Sequence, residues 1–205
     1  MVRGIDGPHR QDAALNQLWL IRHGETEWSA SGRHTGRTDV PLTSVGRDQA
    51  RALGRYLAGH AFALVLTSPL GRARETCQLA GYGDVADVID DLREWDYGIY
   101  EGRTTAEVRT QQPDWSIWTT SVPQGESLDE VAARAQRVID RAAAAAGDVA
   151  LFAHAHVLRI LAAGWIGGAP IDGRRLALGT AAVSVLGYER ETRVIEMWNR
   201  RDAGR

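Results

Sequence analysis

The sequence predicts an α/β protein: a three-layer sandwich with a mostly parallel central sheet and helices on both faces. Three observations carry this expectation. The short, continuous apolar runs "LWLIR" (18–22), "FALVLTS" (62–68) and "DVALFAH" (148–154) read as strands buried on both faces. Helical stretches alternate with them, the order expected of parallel crossover units. With 205 residues, 44% hydrophobic and 24% charged, the chain can bury a full core as one large domain.

The elements follow in order. Residues 1–17 are polar, carry Gly and Pro, and read as a loose arm. After the first strand, "TSVGRDQARALGRYLAGH" is helical, with Thr43 as N-cap and Gly59 as stop. The second strand leads into a helix over 70–81, and "VADVI" (85–89) is a short strand. Residues 92–105, "LREWDYGIYEGRTT", have no clean period and are rich in aromatics and acids, as a functional loop would be. The clearest helix starts at Ser127, which forms a capping box with Glu130. Its apolar face is Leu128, Val131, Ala135, Val138 and Ala142, and Glu130 and Arg134 are expected to pair on its outside. The third strand precedes a helix that stops at Gly167 and Gly168. The tail "AAVSVLGYERETRVIEMWN" alternates as two strands about a turn at Arg190–Thr192. One domain is therefore expected over 18–199, with a short tail at 200–205.

Composition excludes several classes of function. A net charge of −2 argues against nucleic acid as the main partner. No apolar run approaches the ~18 residues of a membrane span, and the start lacks a signal-type apolar core, so a cytoplasmic protein is expected. The single cysteine, Cys77, reads as a small buried hydrophobe. Edge strands near the tail would allow a homodimer.

The chemistry lies where the strands end. The first run ends in Arg22 and His23, the second leads to Arg72, and the third ends in His154. In open α/β sheets ligands bind beyond the carboxyl ends of the strands. Two arginines and two histidines meeting there make an anion site. Guanidinium groups hold phosphate oxygens, and amides at helix N-termini add donors. Gly24 would let a phosphoryl group approach the backbone. A neutral histidine can attack phosphorus while the cations stabilise the transferring charge. The leaving alkoxide needs a proton, for which Glu94 and Asp96 are the candidates. Tyr97 lies beside them. Trp95, Tyr100, Trp115 and Trp118 read either as a wall over the substrate or as packing under a long loop. His154 and His156 also form an "HAH" pair that could ligate a metal, although no further ligands stand at useful spacing.

In their order, "RHGETEW", "GRHTGRTDVPLT", "TSPLGRARET", "LREWDYGIYEG", "PQGES", "FAHAHVLR" and "TAAVSVLGYE" resemble the histidine phosphatase superfamily from about Leu18 to about Asn199. The closest similarity is to its acid phosphatase and sedoheptulose-1,7-bisphosphatase-like branch. The resemblance implies a phosphoglycerate mutase-like fold and a phosphoric monoester hydrolase that needs neither cofactor nor metal. It further implies a small phosphorylated metabolite as partner, sugar phosphates foremost. Carried over by residue, it makes His23 the phosphoryl acceptor, Arg22 and Arg72 the phosphate clamps, His154 the second pocket histidine and Glu94 the general acid. Ser29 and Thr35 fall where relatives contact substrate, and His156 is a further phosphate or substrate contact. Ala155 replaces the family's usual glycine; it is harmless if it opens a helix and costly if its φ is positive. Phosphoglycerate mutases hold a second charged group of their substrate with a lysine, where this chain has Thr105, and with an arginine pair. The stretch "QQPDWSIWTTSVPQGES" has neither Arg nor Lys, so transfer to water is expected. A mutase and a catalytically silent phospho-ligand binder are the alternatives.

Overall fold

A computed structural model describes residues 17–201. The expected arm, apart from Gln17, and residues 202–205 of the expected tail lie outside the described residues. The sheet contains β1 (Leu18–Arg22), β2 (Leu64–Thr67), β3 (Ala86–Val88), β4 (Val149–Ala153), β5 (Val183–Glu189) and β6 (Thr192–Arg200). Their order is β3-β2-β4-β1-β5-β6. The first four strands are mutually parallel, and β5 and β6 add an antiparallel hairpin. The helices are α1 (Glu27–Ser31), α2 (Ser44–Leu57), α3 (Gly71–Leu79), α4 (Thr105–Arg109), α5 (Leu128–Ala143) and α6 (Ala155–Trp165).

The pleat of β4 shows why its sequence is continuously apolar. Val149, Leu151 and Ala153 face one core, with Val131 and Val138 of α5 and Leu158 of α6. Ala150 and Phe152 face the other, with Leu53 and Leu57 of α2 and Cys77 of α3. Successive side chains point to opposite faces, so a strand covered on both sides needs apolar residues throughout. Cys77 is buried, and burial pushes its thiol up to about 12, which leaves it a packing residue.

Most expected elements form, with shorter bounds. Thr43 and Ser127 cap their helices through the amides of Gly46 and Glu130. Gly59 adopts φ 84°, two residues past the end of α2. Helices α1 and α4, each opened by a threonine capping box, are too short to show a period in sequence. The expected Glu130–Arg134 pair does not form. Glu130 turns back to its own cap at Ser127, and Arg134 is buried, donating Nε and Nη2 to the Glu126 carboxylate. Arg134 also donates to the Asp91 and Arg93 carbonyls, so it fastens the 91–97 loop to α5. A guanidinium inside can serve three acceptors at once, whereas an exposed pair on the helix surface is worth only a few tenths of a kcal/mol.

Candidate active site

Sheet register builds the floor of the site. Arg22 pairs with Ala153 in β1–β4, and Thr67 with Phe152 in β2–β4. The ladder continues one residue further, from His23 N to the Ala153 carbonyl at 3.0 Å and from Ser68 N to the Phe152 carbonyl at 2.9 Å. His23, Ser68 and His154 therefore emerge together at one sheet edge. Arg72, one residue into α3, joins them. The two imidazole centroids are 5.1 Å apart.

The local bonds set which nitrogen does what. His23 Nδ1 lies 2.7 Å from the carbonyl of Gly24, which can only accept, so Nδ1 carries the proton and Nε2 keeps its lone pair. Burial, then the charges of Arg22 and Arg72, hold the His23 pKa well below 6.5, so the ring is neutral. His154 is fully buried and likewise held neutral, by burial first and by Arg72 next. Its Nε2 is 2.7 Å from Ser68 Oγ, which already accepts from Leu70 N. With the Ser68 hydroxyl donating to Nε2, the His154 proton sits on Nδ1, the ring nitrogen without a protein partner.

Four buried side-chain polar atoms among the described residues lack a protein partner, and three are here: Arg22 Nε, Arg72 Nε and His154 Nδ1. A buried unsatisfied donor costs about 1–3 kcal/mol, and such donors clustered beside a free lone pair suit an anion. Backbone carbonyls hold one outer nitrogen of Arg22 and both of Arg72. Arg22 Nη1 donates to the Leu178 carbonyl, and Arg72 donates to the carbonyls of Thr35, Gly36 and Thr38. Burial lowers Arg22 to about 10, which still leaves it cationic at neutral pH.

Glu94 is held from three sides. Its Oε1 accepts from Trp95 N and Val157 N, and its Oε2 from His156 N. Two amides of the first turn of α6, those of His156 and Val157, therefore go to Glu94. Oε2 has one partner and retains an open lone pair. Asp96, the other candidate acid, is bound to Arg37 at 2.7 Å and accepts from Gly98 N, away from the cavity wall. The Trp95 indole donates to the Glu126 carbonyl, and Glu126 in turn accepts from Asp96 N, so Arg134 and Glu126 hold the acid-bearing loop together.

A cavity of about 220 Å³ opens over Arg22 and His23, while Arg72 and His154 are fully buried and do not line it. His23, Ser29, Thr35, Glu94, Tyr97 and His156 line it, as expected from sequence, with Arg22 and Ala155. Ser29 Oγ is engaged in the α1 capping box and Thr35 Oγ1 bonds the Arg33 carbonyl, so neither hydroxyl is idle. Ala155 opens α6 without positive φ, the harmless case. Gly24 is not on the wall; a Cβ there would collide with the Gly46 carbonyl, so close approach of α2, rather than of substrate, requires the glycine. Tyr97 is buried, and burial with the Glu94 charge keeps its phenol protonated. Its hydroxyl is hydrogen-bonded to Nδ1 of the neutral His156 at 2.6 Å. Trp95, Tyr100 and Trp115 are packing residues, whereas Trp118 is only partly buried and stands against His156. Arg33, His34 and Arg159 also line the cavity. Sequence reasoning missed them: Arg33 and His34 reach the site through a folded loop, and Arg159 through the packing of α6 over it. No group of three or more His, Cys, Asp or Glu fit to hold a metal occurs among the described residues.

The model of the histidine phosphatase superfamily (branch 1) matches residues 18–201. An acid phosphatase of Mycobacterium tuberculosis is 40% identical over 182 residues, covering 87% of this chain and 89% of that protein. A sedoheptulose 1,7-bisphosphatase of Saccharomyces cerevisiae is 35% identical over 181 residues, covering 72% and 66%. The solved structure of the Rv3214 open reading frame of M. tuberculosis superposes with a TM-score of 0.85 at 39% identity, covering 90% of this chain and 97% of that one.

Proposed function

This chain belongs to the histidine phosphatase superfamily, and from that premise we propose that His23, Arg22, Arg72, His154 and Glu94 hydrolyse phosphate monoesters of small metabolites, sugar phosphates foremost. The observation that carries the reading is the free Nε2 of a neutral His23 among three unpartnered buried donors. The Nε2 lone pair attacks phosphorus and the ester P–O bond breaks. Arg22, Arg72 and the His154 Nδ1–H take up charge on the equatorial oxygens. Glu94, in its acid form, delivers a proton from Oε2 to the leaving alkoxide. In the second step Glu94, now a carboxylate, takes a proton from water as that water attacks phosphorus, the P–N bond breaks, and His23 returns to its starting state. Because the imidazole stays neutral well below pH 6.5, the nucleophile is available in acid.

Transfer to water is supported by Thr105, whose hydroxyl touches His34 on the cavity wall, where a mutase is expected to place a lysine. The reading needs no metal. The test is to quench turnover of a labelled phosphate ester. Label in an acid-labile, base-stable bond, absent from His23→Ala, is expected, with turnover unaffected by excess chelator. Turnover without trapped label, or abolished by chelator, overturns the reading. Activity that depends on 2,3-bisphosphoglycerate and releases little phosphate would instead establish the mutase.

A further inference from the structure

We propose that Gln49 is a positioning residue for His23, acting through the Gly24–Glu25 peptide, with Thr76 as its counterpart on the preceding peptide. This rests on the phosphatase reading of the His23 site.

Neither residue lines the cavity, and they stand on different helices. The Gly24 carbonyl accepts from His23 Nδ1 at 2.7 Å, so it sets both the tautomer and the direction of the ring. The other edge of that peptide is the Glu25 N–H, which donates to Gln49 Oε1 at 2.9 Å. A peptide group is planar, so anchoring its N–H aims its carbonyl. The peptide before it, between His23 and Gly24, donates its N–H to Thr76 Oγ1 at 3.0 Å. The buried Thr76 hydroxyl donates in turn to the Arg72 carbonyl at 2.7 Å. Helix α2 thus grips one peptide beside the nucleophile and α3 grips the other.

Helix spacing explains why these residues reach. Gly46 and Gln49 are three apart, on one face of α2. A Cβ at Gly46 would collide with the Glu25 carbonyl, so its absence lets α2 approach the loop, where Gln49 meets the Glu25 amide. Arg72 and Thr76 are four apart on α3, so the helix that supplies a phosphate clamp also holds the loop of the nucleophile. The Glu25 carbonyl accepts from Thr43 N at 2.9 Å, which keeps the loop on α2 without Gln49. What Gln49 adds is the aim of one peptide plane.

The bonds form a chain from His23 Nδ1–H through the peptide to the Gln49 amide oxygen, and each polarises the next. As Nε2 bonds to phosphorus and the ester P–O bond breaks, Glu94 protonates the leaving oxygen. The ring keeps its Nδ1 proton and becomes cationic. Its bond to the Gly24 carbonyl is then charge-assisted and stronger than in the resting enzyme. Loss of Gln49 therefore falls on kcat rather than on KM.

The test measures phosphate release from a phosphate ester and, in the full chain without substrate, the ¹⁵N shifts of the His23 ring. Gln49→Leu is expected to lower kcat about 10-fold or more with KM nearly unchanged, and to move the shifts away from the Nδ1–H form. Gln49→Glu keeps an acceptor at the same reach and should restore most of kcat. Thr76→Val and Thr76→Ser should repeat the loss and the rescue. Urea midpoints accompany each variant, and where Thr76→Val does not fold the Gln49 pair decides. Unaltered His23 shifts in Gln49→Leu, or a kcat loss that Gln49→Glu does not recover, overturns the proposal and leaves Gln49 a packing residue of α2. The shifts need no turnover, so they test Gln49 apart from the phosphatase reading, which falls if His23→Ala still hydrolyses the ester.

Discussion

The floor and the wall of the cavity are built by different means. The floor, Arg22, His23 and His154, issues from strand ends, and hydrogen-bond register sets its spacing. The wall, Glu94, Tyr97, His156 and Arg159, comes from a loop and from the start of α6, joined by side chain to backbone bonds. A sheet edge cannot shift without breaking ladder bonds, so it suits the reacting atoms. Loops vary at little cost to the core, so they suit the discrimination of substrates. On the proposed mechanism the attacking nitrogen therefore sits in the part of the molecule with least freedom, and the acid, Glu94, comes from the loop and is fixed by the amides of α6.

Substitutions on either side sharpen this division. His23→Ala removes the proposed nucleophile from the floor, and kcat should fall by at least ~10⁴-fold with stability nearly unchanged. Arg134→Met strikes the wall from behind. It leaves Glu126 without its partner and frees the 91–97 loop, so urea unfolding should show a loss of about 3–5 kcal/mol. If instead the variant is stable and active, the loop does not depend on α5.

The third prediction concerns pH. Burial lowers His34 from 6.5 to about 4. Between those values the unfolded chain binds the proton and the folded one does not. This contribution is therefore whole above about pH 6.5 and is lost as pH falls towards 4. His34→Phe should recover about 2 kcal/mol of the stability lost between about pH 7 and pH 5, followed by urea midpoints. An unchanged acid limb would place His34 in contact with solvent. The smallest effect is expected at the floor. Ser68→Ala frees the His154 tautomer and should lower kcat by about 10-fold, with the ¹⁵N shifts of His154 moving away from the Nδ1–H form. Unaltered shifts would show that the hydroxyl does not orient the ring.

These two regions also differ in how far they could be read beforehand. The floor was legible because β1, β2 and β4 are continuous apolar runs with their polar residues at the ends, and parallel pairing brings such ends together. The wall was legible only in part. Glu94 and Tyr97 stood in a loop too rich in acids and aromatics to be a mere connector, but nothing local separated Glu94 from Asp96. That choice depends on which carboxylate meets the α6 amides and which meets Arg37. Gly24 illustrates the reverse error. The need for glycine was correct, and its cause, the Gly46 carbonyl some twenty residues on, was invisible.

By itself, then, the sequence determined the strands, the capped helices, their alternation and the family motifs, because periodicity, capping and turn chemistry act over a few residues. Tertiary structure alone decided the inward turn of Arg134, the tautomer of His23 and which carboxylate, Glu94 or Asp96, meets the cavity. Those depend on burial and on hydrogen bonds between residues far apart in the chain, and neither exists until the layers have packed.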